Sequence, residues 1–207
     1  MRKTIFANGE YYHIYNRGVD KRDIFADQWD MDRFFKSLVE FNTIEPIGSI
    51  YENSFKDKPL GGSTSKLVEF ISYCLNPNHY HFILKQTSED GMKKFMHRLG
   101  GGYTMYFNEK HQRIGSLFQG RFKAIHINSN EYLLHLSSYI NLNDKVHKLG
   151  GSASKSSWNE YVYNQKGICN KNIILEQFNN VEQYKNFSEK SLQDIIERRD
   201  ITKMLLE

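Results

Sequence analysis

LVEFISYCLNPNHYHFILKQ, residues 67–86, is the stretch on which the fold turns. Two apolar-rich segments, LVEFISYCL and HYHFILKQ, flank Asn76, Pro77 and Asn78, residue types that favour a tight turn, so the stretch reads as an antiparallel β pair. Side chains alternate along a strand, which puts His79 and His81 on one face and Tyr80 on the other. Their Cα atoms then lie ~6.6 Å apart, close enough to share one metal ion. Taken alone, the spacing is equally a polar strand face or a pair of hydrogen-bonded histidines at a sheet edge.

Upstream, YYHIYN (residues 11–16) reads as a short aromatic strand followed by the polar turn RGVDKRD. From Asp30 to Phe41 the apolar residues Phe34, Phe35, Leu38, Val39 and Phe41 recur near helical spacing. A long loop is expected from Asn42 to Ser65. Downstream, a helix is expected from about Glu89 through MKKFMHRL and YTMYFNEK, interrupted by Gly100–Gly102, where the close approach of another backbone or of a ligand would account for the glycines. The basic turn KHQRIGSLFQGRF leads into a short strand, KAIHI, and then to a helix start with capping-box spacing, Asn128 followed by Glu131, ahead of YLLHLSSYI.

The order is therefore β, α, β, β, α, β, α. Its first six elements form the ferredoxin-like split βαβ arrangement of the α+β class, an antiparallel sheet with helices on one face. A Ser- and Gly-rich boundary from Gly150 to Ser157 divides a domain at 1–149 from a small helical C-terminal extension at 150–207, in which IILEQFNNVEQYKNF and SLQDIIERRDITKMLL read as small helices.

Composition narrows the function classes. With 39% hydrophobic and 25% charged residues the chain has the make-up of a soluble globular protein, and no apolar run approaches the roughly 20 residues of a membrane span. The opening MRKTIFANGEYYHIYNRG lacks the pattern of a secretory signal, so a cytoplasmic location is expected. Cys74 and Cys169 are too few for a disulfide framework. A net charge of +4 permits a nucleic-acid partner without requiring one. Of the aromatic residues, Tyr11, Tyr12 and Phe118 are candidates for stacking on bases, with core packing the default for any single ring.

Further candidates lie in SSYINLN. Tyr139 and Asn143 are four residues apart, about 40° around a helix, beside an apolar stripe of Leu133, Leu136 and Ile140 that would dock the helix on the sheet. Tyr139 is equally an amphipathic contact residue, and Asn143 equally a helix C-terminal residue.

Four stretches together resemble the IS200-like tyrosine transposases of the HUH endonuclease group, and within them the REP-associated branch. They are YYHIYNRGVDKRDIF at 11–25, NPNHYHFIL at 76–84, YTMYFNEKHQRIGSLFQGRFKAI at 103–125 and YLLHLSSYINLN at 132–143. The resemblance covers roughly residues 5–145, with a fainter echo in SSWNEYVY. It implies a metal-dependent, single-stranded DNA endonuclease and strand transferase that acts near DNA hairpins through a 5′-phosphotyrosine intermediate. By position, His79 and His81 match the metal-binding pair, Tyr139 the catalytic tyrosine, and Asn143 the polar residue that completes the metal site. Mg²⁺ or Mn²⁺ is the implied ion. The partner implied is single-stranded or hairpin DNA, with no membrane; a homodimer with shared sites and a monomer acting alone both remain open.

Arg17, Lys21 and Arg22, with Arg113, Arg121 and Lys123, are the candidates for DNA phosphate contact, and Lys93, Lys94 and Arg98 could add a basic helix face. His135, four residues before Tyr139, is a candidate general base, a helix-surface histidine being the alternative. Two departures from the family pattern stand out. The position between the histidines, usually a bulky aliphatic, is Tyr80, expected to face outward; and Asn143-Asp144 stands where Asn-Pro is common. Two other readings compete: a domesticated hairpin-DNA-binding protein without transposition activity, and an unrelated metal-dependent hydrolase that uses water.

Overall fold

The expected β pair is present as β2 (Val68–Asn76) and β3 (His79–Gln86), joined by the Pro77–Asn78 turn. A computed structural model describes residues 4–45, 47–51, 65–146 and 154–204, and from residue 198 onward the backbone alone. Around the hairpin lie β1 (Tyr11–Arg17), α1 (Gln28–Glu40), α2 (Gly91–Lys110), β4 (Lys123–His126) and α3 (Asn130–Asn141). The short α4 (Asn143–Val146), β5 (Lys155–Ser156), α5 (Trp158–Val162), α6 (Asn172–Leu175) and the long α7 (Val181–Met204) follow. The sheet order is β4-β1-β3-β2-β5 and every pairing is antiparallel. The first four strands have the ferredoxin-like order that the sequence pattern predicts.

The sheet is covered on both sides. On one face Tyr12, Ile14, Phe70, Tyr80, Phe82 and Leu84 pack against Met31, Phe34 and Leu38 of α1 and Met92, Phe95 and Leu99 of α2. Each fully buried large apolar side chain there contributes roughly 1.5–3 kcal/mol. Thus α1 and α2 share a face, as expected of the first six elements. On the other face Leu133, Leu136 and Ile140 of α3 pack on Ile71, Cys74 and Ile83, so the predicted docking stripe is the one used. Tyr161 and Tyr184 complete this second core, and the C-terminal extension also supplies the edge strand β5. Among the described residues no helix is long and apolar enough to cross a membrane.

A bulge in β2 decides which residues share a face. The pairing with β3 shifts between Phe70 and Ser72, so the alternation of β2 changes phase there. Val68 and Phe70 point to the α1/α2 face, and beyond the bulge it is Tyr73 and Leu75 that do so. Cys74 and Asn76 are thereby turned to the α3 face, directly opposite His81 and His79.

Several local expectations are corrected. Gly100–Gly102 do not interrupt α2, which runs unbroken through them. Gly102 is required by packing, since a Cβ there would stand 2.7 Å from the Phe41 ring. Helix α3 is capped by Ser129, whose hydroxyl accepts from the Tyr132 amide at 3.2 Å, one residue later than the predicted Asn128 cap. In place of the two small C-terminal helices expected at 173–187 and 191–206 stand the short α6 and the long α7, which runs on from Val181 across the expected break. Tyr80 faces inward and is 2% exposed, stacked on Phe82 in the main core. Of the long loop, residues 46 and 52–64 lie outside the described residues, but its ends are pinned. The buried Asn42 side chain accepts from the Leu67 and Val68 amides at 3.0 Å and donates to the Val68 carbonyl at 2.8 Å.

At the far end of α1 the fully buried Asp30 carboxylate accepts from the Ala26 amide at 2.9 Å, Lys110 Nζ at 2.7 Å and His111 Nε2 at 2.9 Å, tying α1 to the end of α2.

Candidate active site

The α3 face of the sheet presents its polar side chains in cross-strand rows. Lys123 stands opposite Tyr15, Tyr15 opposite His81, and His81 opposite Cys74. One row further along, Arg17 stands opposite His79 and His79 opposite Asn76. Tyr139 comes down on these rows from α3, its ring 5.7 Å from that of His81 in an edge-on arrangement. A cavity of about 500 Å³ is lined by Arg17, Lys21, His79, His81, Lys123 and Tyr139, together with Tyr15, Asn16, Asn78 and Gln119. The structure thus brings together both histidines, the tyrosine and half of the six predicted phosphate-contact cations.

The other three cations are elsewhere. Arg22 pairs with Asp20 at 3.6 Å on the open surface, and the Arg113 guanidinium lies over the Phe107 ring at 5.6 Å. Arg121 lines a separate cavity on the α2 side of the sheet. Of the extra helix cations, Arg98 is committed to the chain's own backbone, donating to the Thr43 carbonyl at 2.5 Å and the Ile44 carbonyl at 3.3 Å. Tyr12 and Phe118 are core residues, 1% and 6% exposed, whereas Tyr11 is half-buried with Lys85 over its ring.

The hydrogen bonds around His79 settle its tautomer. Its Nδ1 lies 2.6 Å from Asn78 Oδ1, which can only accept, so Nδ1 carries the hydrogen and Nε2 the lone pair. Asn78 in turn donates from Nδ2 to the Lys21 carbonyl at 3.1 Å, locking the turn after β1 to the β2–β3 turn. The backbone there is held in the left-handed region at Asp20 and Lys21, with φ of 52° and 60°. On its other side, Asn76 Nδ2 donates to His79 Nε2 at 2.9 Å and to Asn143 Oδ1 at 2.6 Å. Burial lowers the His79 pKa, with the Asn143 hydrogen bond pulling the other way, and keeps the ring neutral near pH 7.

Asn143 reaches this point by a different route from the one expected. Helix α3 ends at Asn141, Leu142 adopts φ −113°, and Asn143 opens the short α4. Tyr139 and Asn143 are therefore not on one continuous helix. Asn143 is nonetheless fully buried behind His79, its Oδ1 3.2 Å from His79 Nε2 and its Nδ2 without a hydrogen-bond partner among the described residues.

His13, on β1, supports His81. Its Nε2 lies 2.9 Å from His81 Nδ1, and its ring stacks against those of His81 and Tyr15. It is 6% exposed, and burial pushes its pKa down to about 4, so the ring stays neutral. Neutral His13 can accept from His81 Nδ1–H, the arrangement in which His81 Nε2 carries the ring's lone pair. His13, Asn76 and Asn78 were not singled out in the sequence. Asn76 and Asn78 flank the histidine pair directly, which was the available signal; His13 needs the strand register to be found.

These donors fit a divalent ion. Two ligand atoms about 2.1 Å from an ion on adjacent octahedral positions stand about 3.0 Å apart, and His79 Nε2 and Asn143 Oδ1 are separated by 3.2 Å. The Asn76 amino group, donating to both, already draws the two lone pairs to one point. Among the described residues no three His, Cys, Asp or Glu side chains form a metal cage, so two imidazoles and one amide oxygen are the donor set on offer.

The His135 ring is turned to the C-terminal helix α7. Its Nδ1 is 3.0 Å from Ser191 Oγ and its ring packs on Phe187, both on α7. Ser138 Oγ to Ser188 Oγ at 3.0 Å and Asn141 Nδ2 to the Tyr184 hydroxyl at 2.8 Å continue the seam. The helix that bears Tyr139 is thus held between the sheet and the C-terminal helix.

The fold is shared with a solved structure of a REP-associated tyrosine transposase bound to a REP hairpin. The match has a TM-score of 0.55 and 14% identity, and covers 81% of this chain and 88% of the other. No curated protein sequence matches the chain. Fold and cavity together define a ferredoxin-like α+β domain that gathers two imidazoles and a phenol, rimmed by cations, on one sheet face. Residues 48–143 match the family model for IS200-like transposases, and this stretch carries both histidines, Tyr139 and Asn143.

Proposed function

We propose that this chain nicks and rejoins single-stranded DNA beside a hairpin, with Tyr139 as nucleophile and Mg²⁺ or Mn²⁺ held by His79, His81 and Asn143. The observation that carries the reading is the single cavity in which His79, His81 and Tyr139 meet Arg17, Lys21 and Lys123. A phosphodiester repels nucleophiles by its charge, and this cavity opposes that charge with three cations while placing a phenol beside the imidazoles.

The step balances as a transesterification. The Tyr139 oxygen bonds to phosphorus, the bond to the 3′ oxygen breaks, and the phenolic proton is lost as the 3′ oxygen gains one. The products are a 5′-phosphotyrosine and a free 3′-OH. One phosphate ester replaces another, so the step runs in reverse when a 3′-OH re-enters, which is how cutting becomes strand transfer. A phenol with an ordinary pKa near 10 needs stabilisation of its anion as it attacks, and the cationic rim contributes to that. A divalent ion bound at the imidazoles supplies Lewis-acid polarisation of a non-bridging oxygen. Asn78 and His13 hold His79 and His81 in the required orientation. Tyr139 stands beside its own chain's histidines, with α3 clamped by α7, so the reading needs no second copy to complete the site.

The test is incubation with labelled single-stranded hairpin DNA and Mn²⁺, followed by denaturing electrophoresis, comparing the native protein with Tyr139→Phe. The expected result is a covalent protein–DNA adduct that the variant does not form. Cleavage without an adduct in both proteins would favour a water-using hydrolase; binding without cleavage would favour a domesticated hairpin binder.

A further inference from the structure

Arg17 ends β1 directly opposite His79. Cα atoms paired in this way lie about 4.5–5.5 Å apart, so a phosphate beside His79 is within reach of the Arg17 side chain. An exposed arginine has many rotamers, and ordering it costs free energy that an incoming phosphate would have to offset. Here the protein does the ordering. Arg17 Nε donates to Gln119 Oε1, and the Gln119 amide returns a bond to the Arg17 carbonyl at 2.8 Å. The Val19 amide donates to the Leu117 carbonyl at 3.0 Å and Gly18 bridges to Phe118, so residues 117–119 run antiparallel to the end of β1 and fix the Gln119 backbone.

That the partner is an amide has a chemical consequence. A guanidinium carries five N–H donors, and with Nε bound, the four on Nη1 and Nη2 form a fork that can grip two phosphate oxygens. A carboxylate at residue 119 would also hold the arginine, but it would cancel the charge and repel a phosphate. Gln119 orders the fork and leaves the charge in place. No carboxylate lines the cavity, and none pairs with Arg17 among the described residues.

We propose that Gln119 is a positioning residue that holds the Arg17 fork on the phosphate that Tyr139 attacks. The proposal rests on the reading of the chain as a DNA-cutting protein, and it assigns Arg17 to the scissile phosphate in place of a general contact along the strand. Arg17 then stabilises the charge that develops on that phosphate in the transition state, where donors already in place need no reorganisation. Gln119 acts through Arg17 alone.

The test compares Gln119→Ala, Gln119→Glu and Arg17→Ala with the native full chain on a labelled single-stranded hairpin DNA. Anisotropy in EDTA across a salt series gives metal-free affinity, and adduct formation in Mn²⁺ gives kcat and KM separately. Gln119→Ala keeps the Arg17 charge but frees the fork, so affinity should stay within about twofold of native while kcat falls about ten- to a hundredfold. Gln119→Glu keeps the fork held but cancels its charge, so metal-free affinity should fall and the salt slope should drop by about one, as in Arg17→Ala. Gln119 is exposed and its backbone bond survives both changes, so melting temperatures should hold. A native kcat in Gln119→Ala, or native affinity and salt slope in Gln119→Glu, would overturn the proposal. So would a kcat loss in Gln119→Ala that comes with a lowered melting temperature, the mark of a merely structural contact. Those results leave the DNA-cutting reading standing. A native protein that forms no adduct removes that reading, and the assignment of Gln119 with it.

Discussion

Replacing Asn78 by alanine should weaken Mn²⁺ binding by about ten- to a hundredfold while leaving the protein folded. Asn78 Oδ1 accepts the His79 Nδ1–H at 2.6 Å and so fixes both the tautomer and the plane of that ring. Removing a group that orients a metal-ligating histidine costs about ten- to a hundredfold in affinity, or about 1.4–2.7 kcal/mol. The fold loses less. The Asn78 side chain contributes its bond to His79 and one to the Lys21 carbonyl, each worth about 1 kcal/mol net. The turn keeps its backbone bond from the Gly18 amide to the Asn78 carbonyl at 2.8 Å, which the substitution does not touch. Free Mn²⁺ measured by electron paramagnetic resonance gives the affinity, and thermal melting of the metal-free proteins gives the control. Asn78→Asp separates orientation from simple damage: it restores the acceptor and makes the imidazole more basic, so its Mn²⁺ affinity should match or exceed that of the native protein. The reasoning is refuted if Asn78→Ala binds Mn²⁺ as tightly as the native protein, or if Asn78→Asp is as weak as the alanine variant.

Two further predictions concern the body of the fold. Asp30→Ala should destabilise the protein by about 3–5 kcal/mol in urea denaturation, because it leaves Lys110 and His111 facing a half-buried gap where a fully buried carboxylate had paired them; a loss below about 1 kcal/mol would mean that the network adds nothing. His13 makes metal-free stability depend on pH: with its folded pKa at about 4 and an unfolded value near 6.5, the unfolded chain binds more protons between the two, so stability is full above pH 6.5 and falls by roughly 3 kcal/mol on approaching pH 4. Urea denaturation in EDTA across that range should show a shallower slope for His13→Gln than for the native protein, and equal slopes would show that His13 titrates alike in both states.

How much of this was legible in the sequence depended on whether a feature was local. The strand pair at 68–86 and the helix stripe Leu133, Leu136 and Ile140 announce themselves by composition and period. The continuity of α2 does not, because the three glycines weaken the helix locally. Burial of Met96, Leu99, Tyr103 and Phe107 on both sides of them carries it through, and packing of an apolar face outweighs propensity. The long α7 reads in sequence as the end of one small helix and the start of another, yet the intervening residues Ser188–Lys190 contain no glycine or proline to end it. Ser129 displaced Asn128 as the cap because the two neighbouring residues offer the same kind of oxygen, and only the backbone conformation chooses between them.

The site divides in the same way. His79, His81, Tyr139 and Asn143 could be named because each pair lies within four residues of the chain, inside stretches that resemble a known family. The groups that hold them could not, because they are neighbours across strands. Lys123, Tyr15 and His81 form one row although they come from three strands, and Arg17, His79 and Asn76 form the next. Whether Asn76 joins its row depends on the bulge between Phe70 and Ser72. Without that one-residue shift, Asn76 would share a face with Phe70 and point into the α1/α2 core. The sequence hides the shift because FISYCL is apolar on both sides, as a strand covered on both faces must be, so no polar alternation marks the change of phase. The burial that makes β2 a stable central strand therefore also conceals how it delivers a polar side chain to the histidines.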